Sequence, residues 1–182
     1  MSNHKRKTEQ ILLPGTKPEV DALAYNIYPT QKILKGSIHN RLSNFISFLP
    51  HEGNMIIDGF EGVYWDQFAE DLSRAFAEND LLPNWYCIEA AMKTSDEIDK
   101  MIEPSLKSDG ANSIFGKCFD GRLIDFFDDR KLGKMKPDAN GVNILYGTGA
   151  ALAKWNGTLI YVDIPKNEIQ FRSRAGSFKN LG

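Results

Sequence analysis

Met55-Ile56-Ile57-Asp58-Gly59-Phe60-Glu61-Gly62-Val63-Tyr64-Trp65-Asp66-Gln67-Phe68-Ala69-Glu70-Asp71-Leu72 is the stretch that decides the fold. Its first three residues are apolar and are closed by Asp58-Gly59, the pattern of a short buried strand that runs into a turn. From Trp65 onward the period changes. Trp65, Phe68, Ala69, Leu72 and Phe76 recur at helical spacing over residues 65–78. Strand, glycine-containing turn and helix form the opening half of a β-α-β unit.

The same alternation continues outward. Before it, Ile38, Leu42, Phe45, Ile46 and Leu49 predict a helix over 37–49, stopped by Pro50 and Gly53. After it, Thr94 and Glu97 have the spacing of a capping box for a helix that ends near Pro104. Residues 121–128 hold Leu123, Ile124, Phe126 and Phe127 and read as a short helix. Residues 142–146 are a second buried strand, closed by Gly147-Thr148-Gly149, and 158–164 a third. Pro165 is expected at the first position of a helix that reaches about Ala175 and stops at Gly176. Asp128-Asp129-Arg130-Lys131 reads as an exposed mixed-charge turn, although an acid there could hold magnesium. Strands alternating with helices imply an α/β fold in three layers, with a mainly parallel sheet covered on both faces. Residues 1–30 are polar and punctuated by Pro14-Gly15, Pro18 and Pro29. A flexible segment over 1–25 and a single domain over 26–182 are therefore expected.

Composition bounds the function. A chain of 182 residues is long enough for one domain with a full core. A net charge of −2 and a pI near 5.9 argue against a nucleic-acid partner, which calls for a basic face. The cluster His4-Lys5-Arg6-Lys7 is short and terminal, and reads as a solvated tail. No apolar run approaches the ~18 residues of a membrane span, and no apolar core of a secretory signal follows the early basic residues. Cys87 and Cys118 have no C-x-x-C spacing, which fits a reducing cytoplasm. His4, His39 and His51 are scattered, so no metal centre is expected.

The turn after the first strand occupies the place where open parallel sheets hold ligands, outside the carboxyl ends of the strands. A working phosphate loop there reads G-x-x-x-x-G-K-[ST]. Its glycines let backbone N–H groups wrap the phosphates, its lysine reaches the terminal phosphates and its hydroxyl holds magnesium. With the first glycine on Gly59, Tyr64 stands at the second glycine, Trp65 at the lysine and Asp66 at the hydroxyl. Between Asn54 and Met92 there are eight acids and one base, Arg74. Asp66 is placed to meet the positive end of its own helix. A triphosphate would meet repulsion and no compensating lysine. An ordinary tight turn with Trp65 packed in the core fits the same residues.

Several stretches together resemble a family. IIDGFEGVYWDQFAEDL is similar to the phosphate-loop region of uridine-kinase-like proteins. ILYGTGAALAKWNGTLIYVDIPKNEIQFRSRAG resembles their later strand, loop, strand and arginine-bearing helix. With Asn112–Lys117, Asn26-Ile27-Tyr28-Pro29 and Asn180-Leu181-Gly182, these stretches look like the N-terminal kinase-like domain of bacterial class I mannose-6-phosphate isomerase-like proteins, in which a cupin barrel follows. The resemblance implies a P-loop kinase-like domain from about residue 26 onward. It carries over Gly59 and Gly62, with Asp58 before them, to the phosphate loop. Gly147 and Gly149 fall in the loop after the later strand, Asp163 at the end of the last strand, and Arg172 and Arg174 on a phosphate-facing lid helix. Two residues apart, the arginines cannot share one helix face. The isomerase metal ligands belong to the cupin and carry onto no residue here.

Three functions follow as expectations. The domain is a degenerate kinase fold serving a sugar-phosphate isomerase system without phosphotransfer, with a sugar phosphate, a nucleotide or a cupin isomerase domain as partner. Alternatively it is an active sugar or nucleoside kinase using ATP and magnesium, with Arg172, Arg174, Lys154 or Lys166 replacing the missing lysine. In the third case it is a protein-interaction module, which exposed aromatic residues would favour. Basic side chains gathered around Gly59–Gly62 would favour the kinase; a mouth that is acidic or plugged by Trp65 would not.

Overall fold

The computed structural model describes residues 34–36, 38–39, 41–106, 117–177 and 181. The segment expected to be flexible, residues 1–25, lies outside them, as do Asn26–Pro29, most of 112–117, Asn180 and Gly182. In chain order the elements are α1 (Leu42–Ile46), β1 (Gly53–Gly59), α2 (Trp65–Ala77), β2 (Asn84–Cys87), α3 (Ser95–Leu106), α4 (Asp129–Lys134), β3 (Val142–Tyr146), β4 (Thr158–Val162) and α5 (Lys166–Arg174). Single 3₁₀ turns occupy Ile88–Ala91, Leu123–Phe126 and Ala150–Ala153.

The four strands form one all-parallel sheet in the order β2-β3-β1-β4. Strand alternation assigns β1 to two cores, as a strand buried on both faces requires. Met55 and Ile57 face α1 and α2 with Leu72, Phe76, Val142 and Ile144. Ile56 faces the other way, with Leu145, Ile88, Phe127 and Leu132. Each such side chain fully withdrawn from water contributes about 1.5–3 kcal/mol. The helix predicted after β1 forms as read, with Trp65, Leu72, Ala75 and Phe76 buried.

Three paired strands share a polar ladder at their amino ends. Asn84 and Asn54 both stand in register with Asn143, which is 1% exposed. Asn84 Nδ2 donates to Asn143 Oδ1 at 3.2 Å, and Asn143 Nδ2 donates to Asn54 Oδ1 at 3.0 Å. Asn143 also exchanges bonds with Asp138, accepting from its N–H at 3.1 Å and donating to its carbonyl at 2.9 Å. A buried amide is tolerated only when its donors and acceptors are met, and here they fix strand register.

Elsewhere the sequence reading needs adjustment. Of the helix expected over 37–49, α1 covers Leu42–Ile46, while Ser37 and Asn40 lie outside the described residues. The Thr94–Glu97 capping box is present, with Thr94 N–H and Oγ1–H donating to Glu97 at 2.9 and 2.8 Å, but α3 runs two residues past Pro104. A proline in the last turn forfeits few helical bonds, so the helix survives it. The turn expected at Asp128–Lys131 is instead the start of α4. Asp128 caps it by accepting from Arg130 N–H and Lys131 N–H, both at 2.9 Å, and these bonds hold its carboxyl below the usual range. Pro165 stands one place before α5 as its cap, and β4 ends at Val162, so Asp163 lies just beyond the strand.

Candidate functional site at the carboxyl edge of the sheet

The connection leaving β1 leads to β2, beyond β3; the one leaving β3 leads to β4, beyond β1. Adjacent strands whose connections depart in opposite directions open a crevice between them, the usual ligand position in such sheets. Asp58-Gly59 and Gly147-Thr148-Gly149 meet there. Gly147 N–H donates to Ile57 O at 3.1 Å. Gly149 takes φ +90°, a backbone region that only glycine enters at little cost, and a Cβ on it would strike the Phe127 ring at 2.9 Å.

Asp58 fills the crevice. Its Oδ1 accepts from Gly59 N–H at 2.7 Å and from Gly149 N–H at 2.9 Å, and its Oδ2 accepts from Ala151 N–H at 3.0 Å. Backbone N–H groups converging after a parallel strand are the donors that hold phosphate in nucleotide-binding folds. Here the chain supplies the anion itself.

Trp65 fills the other half of the mouth. It is 8% exposed, packs against Phe68 and Tyr146 with ring centroids 6.0 and 6.4 Å away, and lies against Gly59, where a Cβ would meet its ring at 3.0 Å. The same Cβ would meet Val162 O at 2.6 Å, so this turn is glycine for packing reasons as well. The indole N–H donates to Thr148 Oγ1 at 3.1 Å. Glu61 lies close enough to Thr148 for the hydroxyl to act on its carboxyl. Glu61 is pushed above the ordinary carboxylate range, first by burial and further by the charge of Glu89, with the Thr148 hydroxyl opposing.

The ends of β2 and β3 complete the edge. Cys87 and Tyr146 stand directly in register across β2 and β3. Burial, Cys87 and the nearby carboxylates of Asp66 and Glu89 push Tyr146 up to about 12. Burial also pushes the Cys87 thiol up, which keeps it protonated and unreactive at neutral pH. A groove of about 500 Å³ runs beside this edge along the flank of α2, between Ala69, Ser73 and Arg74 on one side and Trp85 and Tyr146 on the other.

The residues carried over by resemblance separate into two groups. Asp58, Gly59, Gly147 and Gly149 meet at the carboxyl edge, and Gly62 stands in the loop between β1 and α2. Arg172 also arrives, but it is engaged with protein groups: its Nη1 donates to Gly62 O at 2.7 Å, its Nε to Glu168 at 3.1 Å, and its guanidinium lies 4.1 Å from the Tyr64 ring centroid. The Tyr64 hydroxyl donates to Ser177 Oγ at 2.8 Å, so α5 is strapped onto the loop. Arg174 is exposed on another side of α5, and Lys154 and Lys166 are exposed as well. Asp163 is exposed and accepts from Ile164 N–H at 2.9 Å. The mouth is thus acidic and plugged by Trp65, while the arginine that reaches it is turned to a carbonyl. Sequence reasoning missed Thr148 and the Cys87–Tyr146 pair. Thr148 sits between two glycines, where a hydroxyl has no pattern of its own, and Cys87 ends a strand that was not foreseen.

Among the described residues no group of three or more His, Cys, Asp or Glu side chains could hold a metal ion. No described helix is long and apolar enough to cross a membrane. No curated protein and no solved structure matches the chain. The family described as Domain of unknown function (DUF8485) matches residues 36–182, and the chain belongs to that family.

Proposed function

We propose that this protein is a kinase-like domain without phosphotransfer activity, serving a sugar-phosphate isomerase system in the cytoplasm. One observation carries the non-catalytic half: the Asp58 carboxylate accepts from Gly59, Gly149 and Ala151 N–H, the donors that an incoming phosphate would need. A nucleotide would have to displace a covalently tethered anion and then meet Glu61, Asp66 and Glu89 without a lysine. Phosphoryl transfer depends on positioning and on neutralising charge in the transition state, and the buried indole of Trp65 supplies neither. The sugar-phosphate half rests on the combined resemblance of the stretches 56–72 and 144–176, with 112–117, 26–29 and 180–182.

Thermal unfolding in the presence of ATP, with and without magnesium, and of hexose 6-phosphates tests both halves. A ligand at 100 times its Kd stabilises a fold by about 2.7 kcal/mol. ATP is expected to give no shift and no turnover, and a hexose phosphate to give one. Magnesium-dependent phosphotransfer that is lost in a folded Thr148→Ala variant would overturn the proposal.

A further inference from the structure

Asparagine followed by glycine occurs twice in the chain, at Asn140-Gly141 and Asn156-Gly157, and both pairs are exposed immediately before a strand. Such a pair carries its own chemistry. The backbone nitrogen of the second residue can attack the asparagine carboxamide, and a glycine there has no Cβ to stand in the way. The attack requires that the peptide joining the two residues be free to turn. The two pairs differ in that respect. The carbonyl of Asn156 accepts from Asn54 Nδ2 at 2.9 Å, and Asn54 is itself fixed in the asparagine ladder through its Oδ1. Gly157 lies directly on Asn54, where an added Cβ would strike both its backbone and its side chain. Around Gly141, by contrast, an added Cβ would meet nothing within 4 Å. Among the described residues no hydrogen bond engages the Asn140 side chain, the Asn140 carbonyl or the Gly141 N–H.

We propose that Asn140 is a site of spontaneous deamidation in the folded protein, and that Asn156 is protected from the same reaction by its packing on Asn54. The Gly141 nitrogen forms a bond to Asn140 Cγ, and the Cγ–Nδ2 bond breaks. Nδ2 leaves as ammonia, taking up the proton that the Gly141 nitrogen loses. Water then opens the cyclic imide at either carbonyl, which yields aspartate or isoaspartate. The balance is one water consumed and one ammonia released, with no oxidant or cofactor. The position gives the change a structural effect. Aspartate at 140 sets a new carboxylate two residues after Asp138, whose N–H and carbonyl both hold Asn143. Isoaspartate adds a methylene to the main chain just ahead of Gly141, whose carbonyl accepts from Gly53 N–H at 3.1 Å. These bonds align the amino ends of β1 and β3, so the modification falls where strand register is set. It lies at the opposite end of the strands from the Asp58 crevice and is independent of any ligand there.

Incubation of the full chain at neutral and mildly alkaline pH, followed by tryptic peptide mapping, tests it. Trypsin leaves Asn140 in the peptide 135–154 and Asn156 in the peptide 155–166, because Lys136 precedes Pro137 and is not cut. Fragmentation of the first peptide separates Asn140 from Asn143. The mass change from amide to acid is expected to accumulate at Asn140, faster as pH rises, as a mixture of aspartate and isoaspartate, while Asn156 keeps its amide. In urea, where the packing on Asn54 is lost, both positions are expected to convert. Asn140→Gln is expected to remove the change from the peptide 135–154. An Asn140 that keeps its amide in the folded protein while converting in urea would overturn the proposal. So would an Asn156 that converts as fast as Asn140 in the folded protein, or a change in 135–154 that persists in Asn140→Gln.

Discussion

Trp65→Lys restores on paper the lysine that a phosphate loop requires, and its consequence follows from where the indole sits. The side chain is buried between Phe68, Tyr146 and Gly59, and its N–H is held by Thr148. Removing a large buried aromatic costs about 3–5 kcal/mol, and the lost indole hydrogen bond accounts for about 1 kcal/mol of it. The lysine stem fills part of the space, but its ammonium must reach water to be solvated. For a chain of this length, 3–5 kcal/mol lowers the unfolding midpoint by roughly 6–20 °C. Urea unfolding of wild type, Trp65→Phe and Trp65→Lys, each beside an ATP-binding assay, separates the contributions. Trp65→Phe keeps a ring and loses the N–H, so it should fall well short of the lysine variant's loss. A Trp65→Lys protein that is as stable as wild type and binds ATP would refute this account, because the position would then face a usable nucleotide site.

Three further outcomes are expected. Asp58→Asn removes the charge from three hydrogen bonds while keeping one acceptor oxygen, and should cost about 2–3 kcal/mol in urea unfolding. Glu61 is raised in the fold, so the folded chain holds more protons than the unfolded one between the ordinary glutamate value and the raised one. Stability therefore falls as pH rises through that window; Glu61→Gln should flatten the fall and be more stable than wild type at neutral pH, as measured by thermal unfolding from pH 4 to 8. Asn143→Ala leaves the Asp138 N–H and two asparagine amides without their shared partner and should cost about 2–5 kcal/mol, with hydrogen exchange rising first at the amino ends of β1 and β3.

What the sequence revealed depended on how local the cause was. β1, α2, β3 and β4 were legible because each carries its own apolar period, and the capping box at Thr94 because its two partners lie three residues apart. β2 was not: Asn84-Trp85-Tyr86-Cys87 is four half-buried residues with no alternation, and it is a strand because β3 pairs with it. Asp128 looked like part of a charged turn because a capping aspartate and a solvated one have the same sequence neighbours. At the site, the glycines and Asp58 could be named, but not what Asp58 does. Its partners Gly149 and Ala151 lie about ninety residues away, and only the parallel pairing of β1 with β3 brings them within reach. The resemblance put Arg172 on a phosphate-facing helix; its protein partners, the Gly62 carbonyl and the Tyr64 ring, lie more than a hundred residues away in sequence and could not be read from it.

The Asp58 bridge also changes what keeps this edge of the sheet in order. A loop built for a diffusible phosphate is most rigid when its ligand is bound, so its order rises and falls with the cell's supply. Here the anion is part of the chain, so it is neither consumed nor released. The turns after β1 and β3 are therefore joined by a group that needs no diffusible ligand to hold them.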